Sequence, residues 1–520
     1  MSTQPRLAGP GSGAHPALVS RRLHDLVVTG VAGAVALVVA LGVTTAVPNP
    51  NPALIVGLIA GTLGVIALMI STRYELTLTL VVLYLGLLDG PVKLLSASQA
   101  ASAIRNVLIF AIVIGMVVRL SVNRERIKMP PLSGWVVAFV AVVLLEAFNP
   151  STGGILKILG GFRQQLEWVP FFFFGYMIMR SKANLRKLFL LLGVIALANG
   201  LVGAYQSRLS PAGLGSWGPG YNADVTGSGG QSGRTYSAEG VARPRPPALG
   251  SDSGFGGGIG VVALPGLLAL LSVGRVRRRW VAALLCAGAL LGIATAASRT
   301  SIVIAVVALL SYALLAIIAG LRVSRPLAGL VVVVALAVGV GSILISANGK
   351  GIFARQETIT SVSQAESSGG AAKAEHLAQI PSDIAGSPLG VGLGTGGSAS
   401  GFGGTQKVEI EGKGASAEGA YNLLVIETGV PGLLLWVGLS IEVLLLAVRR
   451  LRRVADLELR TYLVAAFAVY AAVTVAGFVG PTLAVAPPGT YLWFAAGVAA
   501  YWFAGPGRAA SDPTIAAGGA

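Results

Sequence analysis

Several arginines stand where polar segments of the chain meet apolar ones. Arg299 lies in a Ser-Arg-Thr-Ser sequence that opens a long apolar run, and Arg243 and Arg245 alternate with prolines in Arg-Pro-Arg-Pro-Pro. Arg163 stands just before another apolar run. A planar guanidinium group can hold a phosphate or diphosphate through two parallel hydrogen bonds, and prolines restrict the backbone that presents it. The pattern indicates an anion site, and solvated interfacial or linker arginines are the alternative.

Candidate acid–base groups lie in the polar stretch 347–419 and in the apolar run after it. Glu418 precedes that run, where a carboxylate can take a proton from a sugar hydroxyl or simply interact with a helix N-terminus. Glu427 lies inside the run, before Thr-Gly-Val-Pro-Gly. An acid there is a functional candidate, unless its carboxylate binds backbone N–H groups freed by the break. His376 is a candidate base or a solvated loop histidine.

Motifs for metals and nucleotides are missing from the sequence. Only three histidines occur, at 15, 24 and 376, and Glu409 and Glu411 have no further ligands nearby. The P-loop pattern is absent as well. We therefore expect no metal and no cofactor, and a reaction at this site would need a preactivated substrate.

The composition predicts a polytopic membrane protein. Hydrophobic residues make up 54% of the 520 residues and charged residues only 11%, with a mean hydropathy of +0.77. The apolar runs are about twenty residues long, enough to cross a bilayer as helix. The net charge of +17 comes mostly from short alternate loops, as the positive-inside rule predicts, so we expect no nucleic-acid partner. The single cysteine, Cys286, lies in an apolar run and is expected to be a core residue.

We predict an all-α, polytopic transmembrane helix bundle of about 12–14 spans. A cytoplasmic tail at about 1–25, a multi-pass membrane domain at 26–505 and a cytoplasmic tail at 506–520 would place the chain in the plasma membrane. The candidate spans are, within a few residues, about 26–47, 53–71, 76–92, 103–120, 132–148, 166–179, 184–205, 256–273, 279–297, 300–320, 326–346, 420–448, 461–480 and 488–504.

Two long extracytoplasmic loops are predicted at about 206–255 and 347–419. Both are rich in Gly and Ser and show no obvious secondary structure. Loops of this length are usually functional or disordered. The second one carries further candidate cations at Arg355 and Lys373.

Three sequences in order resemble motifs of the O-antigen ligase and O-antigen polymerase superfamily of bacterial envelope enzymes. They are Ser-Arg-Thr-Ser at 298–301, Ser-Pro-Leu-Gly-Val-Gly-Leu-Gly at 387–394, and the stretch from Tyr421 to Gly432. Ala-Leu-Gly-Ser-Asp-Ser-Gly at 248–254 is also similar to a family segment. The resemblance covers about 240–445. It departs from the family at Glu418, where the family has His, and at Lys373, where it has Arg.

The resemblance implies a metal-independent membrane glycosyltransferase. It would transfer a glycan from a polyprenyl-pyrophosphate carrier to a hydroxyl of an acceptor glycan or lipid at the outer face. Pyrophosphate would be held by basic residues, with Glu418 and Arg299 as the catalytic pair. The pyrophosphate ligands would be Arg243, Arg245, Arg299, Arg355 and Lys373.

Two other classes are compatible with the same residues. A transporter or flippase of a lipid-linked glycan or another anion could use the arginines as a gate, although such proteins usually place polar residues in broken helices at mid-membrane. An inactive scaffold of a polysaccharide assembly complex would explain the departures at Glu418 and Lys373.

Overall fold

The computed structural model describes most of the C-terminal four-fifths of the chain. The described residues are 74–96, 99–122, 129–227, 233–238, 240–273, 276–322, 324–348, 371–397, 399, 409–410, 413–414 and 419–508. The first two predicted spans, the N-terminal tail and most of the C-terminal tail lie outside them.

Helices dominate this part of the chain, as predicted. In chain order they are α1 (Tyr74–Leu83), continued by a π-helical turn (Tyr84–Leu88) into α2 (Asp89–Ser96), α3 (Gln99–Val122), α4 (Ser133–Glu146), α5 (Ile155–Leu166), α6 (Pro170–Ile178), α7 (Lys182–Gln206), α8 (Pro211–Gly215), α9 (Pro219–Thr226), α10 (Phe255–Val273), α11 (Val276–Thr295), α12 (Arg299–Ile318), α13 (Ser324–Asn348), α14 (Ala371–Gly386), α15 (Ala420–Arg450), α16 (Leu457–Ala476) and α17 (Pro488–Ala499). The described strands form two antiparallel hairpins, β1 (Thr235–Ala238) with β2 (Val241–Pro244) and β3 (Glu409–Ile410) with β4 (Lys413–Gly414).

Six helical segments of the described chain are long and apolar enough to cross a membrane. They are Tyr74–Ser96, Lys182–Gln206, Phe255–Val273, Arg299–Ile318, Ala420–Arg453 and Leu457–Ala476. Four shorter apolar stretches lie at Ile104–Val117, Ser133–Glu146, Arg279–Thr295 and Val333–Ile345. Every predicted span on described residues coincides at least in part with a helix. The span expected at 166–179 differs most, because α6 has nine residues and follows α5 after a break at 167–169.

The chain forms two compact units, 1–81 with 103–129, and 82–102 with 130–520. In the first unit the described residues belong to α1 and α3. The second unit holds all the other helices and every residue discussed below.

Helices α10 and α16 form the centre of the second unit. In each, 78% of the apolar window is buried, against 33% for α12. Helix α10 packs against α7, α11, α12 and α16, while α17 packs against α6 and α15 against α4. A helix that is apolar all round is either buried in a protein core or spans a membrane, and Leu264 and Leu267 of α10 are fully buried.

Small residues let α7, α10 and α11 approach closely, as is common in membrane helix pairs. A Cβ added at Gly288 of α11 would lie 2.5 Å from the Cα of Leu197 in α7. One added at Gly260 of α10 would lie 2.5 Å from the carbonyl oxygen of Ala289. These contacts involve backbone atoms, so the neighbouring helix would have to move to admit a larger side chain.

The described residues of the segment 206–255 contain secondary structure, whereas the sequence showed no obvious sign of it. It contains α8, α9 and the β1–β2 hairpin. Leu214, Tyr221 and Val225 form a small buried cluster with Leu94 of α2. This apolar contact fixes α9, and with it the charged residue near its end, against the helix bundle.

We predict that Gly288→Ala lowers the stability of the folded protein by about 1–3 kcal/mol, because its methyl group overpacks the α7–α11 contact. Gly339→Ala is the matched control. Gly339 lies within α13 with nothing within 4 Å of an added Cβ, so this change should be neutral or gain up to about 1 kcal/mol of helix propensity. Thermal unfolding in detergent measures both. Equal changes in stability for the two variants would show that the contact between α7 and α11 can accommodate the added methyl group.

Candidate functional site

The β1–β2 hairpin brings two arginines opposite each other. Its register pairs Thr235 with Pro244, and one step further the N–H of Arg245 donates to the carbonyl of Arg234 at 2.9 Å. The N–H of Arg234 in turn donates to the carbonyl of Asp224 at 2.8 Å. Two backbone hydrogen bonds therefore place three charged residues side by side.

The Arg234 guanidinium joins two carboxylates that are distant in sequence. Its Nε lies 3.4 Å from Oδ1 of Asp224, at the end of α9. Its Nη1 donates to Oδ1 of Asp252, and lies 3.3 Å from Oγ of Ser253, just before α10. Because a guanidinium presents its donors in a fixed plane, this arrangement sets the relative positions of the hairpin, α9 and the start of α10.

Buried amide side chains of α7 hold the segment that follows Arg245. The Gln206 side chain accepts from the N–H of Ala248 at 2.8 Å and donates to its carbonyl at 3.1 Å. Asn199 accepts from the N–H of Leu249 at 3.0 Å. Ala248 has a left-handed backbone with φ of 55°, a conformation that costs energy for a residue with a Cβ. The two amides compensate for it and fix the position of the arginines on the bundle.

Arg299 is the first residue of α12, as the sequence predicts. Ser298 caps that helix, its Oγ accepting from the N–H of Ser301 at 3.4 Å. A Cβ on Gly257 would collide with the Ser301 side chain, so the starts of α10 and α12 are in close contact. The positive charge of Arg299 consequently acts on Arg245.

The guanidinium of Arg245 is incompletely hydrogen-bonded. Burial lowers the pKa of its guanidinium, and the positive charges of Arg234 and Arg299 lower it further, against the opposing effect of Asp224 and Asp252. Its Nε is buried and has no hydrogen-bond partner among the described residues. The Nε of Arg243, two residues earlier on β2, is buried as well. A guanidinium remains protonated in such surroundings, so the arrangement favours a bound anion.

Asp224 is the other incompletely satisfied group. Its side chain is 10% exposed, and Oδ2 has no hydrogen-bond partner within the described residues. Burial raises its pKa from 3.8 to about 6, although the positive charge of Arg234 lowers it. We call Asp224, Arg234, Arg245, Asp252 and Arg299 the arginine cluster.

Glu427 belongs to a different, fully buried network. Its Oε1 accepts from Nε2 of Gln164 at 3.0 Å and from the N–H of Gly396 at 3.2 Å, and its Oε2 accepts from Nε2 of Gln165 at 2.8 Å. Gln164 also accepts from the N–H of Ala399 at 3.1 Å. The carboxylate therefore joins α5 and α15 to the glycine-rich segment 387–397, and the side chain is fully buried.

The glycine-rich segment also forms hydrogen bonds with the backbone at the break in α15. Gly429 has φ of 60° and interrupts the helix two residues before Pro431. The N–H of Val391 donates to the carbonyl of Ile426 at 2.7 Å, and the N–H of Val430 donates to the carbonyl of Pro388 at 2.8 Å. The carbonyl of Ile426 and the N–H of Val430 would bind each other in an unbroken helix, and the segment pairs both of them, as irregular backbone inside a bundle requires.

This close contact explains the run of glycines. Gly390 has φ of 87°, and a Cβ there would lie 2.8 Å from the N of Gly429. Gly392 and Gly394 also have positive φ, which favours glycine. The sequence suggested that the Glu427 carboxylate could bind backbone N–H groups freed by the break. In the structure it binds the N–H of Gly396 in the glycine-rich segment instead.

The remaining predicted residues are dispersed. Arg163 is half-buried in α5, beside the two glutamines that bind Glu427. Tyr421 is buried, donates its hydroxyl to the carbonyl of Thr474 at 2.8 Å and packs on Phe478. Arg355 and Glu418 lie outside the described residues, as do the side chains of Lys373 and His376 on α14.

Sequence reasoning missed Asp224, Arg234 and Asp252. The available signal was Gly240, which has φ of 77° and lies between the two strands of the hairpin, and that hairpin brings Arg234 next to Arg245. Asp252 lies within the 248–254 segment noted for its resemblance, but the position of its carboxylate depends on α7 and α10.

Comparison with known proteins identifies no relative. No family model, no curated protein and no solved structure matches this chain. Within the described residues, no group of three or more His, Cys, Asp or Glu side chains could hold a metal ion.

We predict that Glu427→Gln destabilises the protein by about 1–3 kcal/mol, because the new amide NH2 would face donors that now bind an acceptor-only carboxylate. Cleavage within 387–397 by a protease should also become faster. Glu375→Gln on exposed α14 is the control and should change neither property. An unchanged melting temperature for Glu427→Gln would contradict the structural role.

We predict that Asp224→Asn stabilises the unliganded protein above about pH 6 and has little effect near pH 4. A carboxyl whose pKa is raised in the folded state, here from 3.8 to about 6, holds its proton more tightly there than in the unfolded chain. The folded protein therefore loses on the order of 1–3 kcal/mol of stability as the pH rises from about 4 to above about 6. Melting temperatures of both proteins across this range test the sign. A less stable variant at every pH would contradict it.

Proposed function

We propose that the protein is a membrane glycosyltransferase. It would join or polymerise a glycan from a polyprenyl-diphosphate carrier onto an acceptor hydroxyl at the outer face of the plasma membrane. The apolar helices are compatible with a membrane protein. Both chain ends would be cytoplasmic and the arginine cluster extracytoplasmic, following the charge distribution of the short loops.

The observation that carries this proposal is the convergence of like charges. Arg234 and Arg245 lie opposite each other, where like charges destabilise a hairpin, and Arg299 adds a third positive charge from another helix. Arg234 forms ion pairs with Asp224 and Asp252, whereas the buried Nε of Arg245 lacks a hydrogen-bond partner in the described structure. A diphosphate would complete the coordination of such a cluster.

The chemistry follows from a leaving group that is already activated. The acceptor oxygen would attack the anomeric carbon while the bond to the diphosphate breaks, and the bonding electron pair would leave with the diphosphate. The arginines would stabilise the charge that develops on it. Arg299 would contact the leaving group and Glu418 would accept the hydroxyl proton. Arg243, Arg355 and Lys373 are the further basic residues assigned to this task.

An apolar groove offers a place for the prenyl chain of the carrier. It has a volume of about 350 Å³ and lies between α14, α15 and α16. Ile380, Leu433, Val437 and Phe478 are among the residues that line it. Burying prenyl methylene and methyl groups there would add about 0.8 kcal/mol for each carbon.

A transporter or flippase is the second candidate, because α15 is broken at Gly429 as in many transporters. The groups freed by that break bind the glycine-rich segment, which favours the enzyme. Reconstitution with a lipid-linked glycan and an acceptor separates the classes. Transfer of the glycan supports the enzyme, and movement of the glycan across the membrane without transfer supports the transporter. The absence of both transfer and movement supports a scaffold.

We predict that Arg245→Ala weakens binding of undecaprenyl diphosphate about 10–100-fold, because one charge-assisted contact is worth about 1.5–3 kcal/mol. Arg245→Lys should recover only part of the affinity, since it keeps the charge and loses the planar fork. Exposed Arg208 of the same segment is the control. Calorimetry or lipid-binding fluorescence gives the Kd values. Equal affinity for Arg245→Ala and Arg208→Ala would contradict the site.

A further inference from the structure

Asp224 is the carboxylate of the arginine cluster that has a buried oxygen without a hydrogen-bond partner among the described residues. Arg234 contacts its Oδ1, but its Oδ2 is buried and has no hydrogen-bond partner among the described residues. Leaving a buried acceptor unpaired costs folding free energy. A group that is held in place at this cost, in contact with a candidate ligand site, is a candidate for a role in that site.

The charged groups that act on Asp224 come from four elements. Arg234 precedes β1, Arg245 follows β2, Asp252 precedes α10 and Lys93 lies in α2. Within this set, burial raises the pKa of Asp224 to about 6, so its protonation can change near that pH.

An ionised Asp224 and a bound diphosphate would repel each other. Like charges repel each other strongly where solvent screens them only partly, and a diphosphate diester carries two negative charges. A protonated carboxyl would instead offer an O–H donor to a phosphate oxygen. Removing the repulsion and adding a hydrogen bond both favour the protonated form in the complex.

We propose that Asp224 is a ligand-contacting residue of the diphosphate site and that it takes up a proton at Oδ2 when the diphosphate binds. This inference rests on the proposed function, because it assigns a further residue to the same site. The negative charge of the ligand holds the proton on Asp224, and the proton allows the carboxyl to donate to the ligand.

The coupling has a definite sign with pH. Free Asp224, with its pKa raised by burial to about 6, is mostly ionised at neutral pH, so binding must bring in a proton from solvent. Affinity therefore falls as pH rises above about 6, by up to about tenfold for each pH unit. Below that range the carboxyl is already protonated, and affinity becomes independent of pH.

The test uses a polyprenyl methyl diphosphate diester, whose own charge stays constant between about pH 5 and 8. Titration calorimetry in two buffers of different ionisation enthalpy counts the protons taken up on binding. We expect close to one proton for the wild-type protein near pH 7 and none for Asp224→Asn, whose affinity should be independent of pH. Asp252→Asn is the matched control, because it also removes a carboxylate from Arg234. It should keep the proton uptake, with its midpoint moved to lower pH, since the negative charge of Asp252 raises the pKa of Asp224.

The outcomes separate the two proposals. Binding without proton uptake by the wild-type protein, or equal uptake by wild type and Asp224→Asn, overturns the role of Asp224 and leaves the diphosphate site intact. Absence of binding by the folded wild-type protein at every pH overturns the proposed function itself. The wild-type measurement requires no variant, so a misfolded Asp224→Asn protein would not prevent a decision.

Discussion

The ion pairing of Arg234 with Asp224 and Asp252 is the interaction on which the candidate site depends. It connects the end of α9, the start of β1 and the segment before α10. Without these carboxylates, Arg234 and Arg245 would repel each other across the hairpin. With them, the charged neighbours of Arg245 are two arginines and two aspartates, so the positive charge of Arg245 itself remains available to an anion.

A second constraint comes from the broken helix α15. Its break would be costly inside a helix bundle, and the segment 387–397 satisfies the freed backbone groups through Val391 and Pro388. Glu427 then binds that segment to α5, because its carboxylate accepts three hydrogen bonds, two from glutamines of α5 and one from a backbone N–H of the segment. Glu427 and Asp224 thus differ in kind. Glu427 is saturated with donors, whereas Asp224 keeps one oxygen without a donor within the described structure.

The helical fold and the positions of the apolar helices could be predicted from the sequence, because both follow from local hydropathy and length. The start of α12 at Arg299 was predictable for the same reason. The pairing of Arg245 with Arg234 was not, because it depends on a hairpin within a segment whose Gly and Ser content indicates a loop. The two glutamines that bind Glu427 come from α5, more than 260 residues earlier in the chain, and no local pattern points to them.

The central claim, that the arginine cluster recognises a diphosphate, is tested most directly by comparing two lipids of the same prenyl length. The wild-type protein in detergent is titrated with a polyprenyl diphosphate and with the corresponding alcohol. Two charge-assisted contacts of about 1.5–3 kcal/mol each predict at least about a hundredfold tighter binding of the diphosphate, and that preference should weaken as salt is added. Equal affinities for the two lipids would contradict the account.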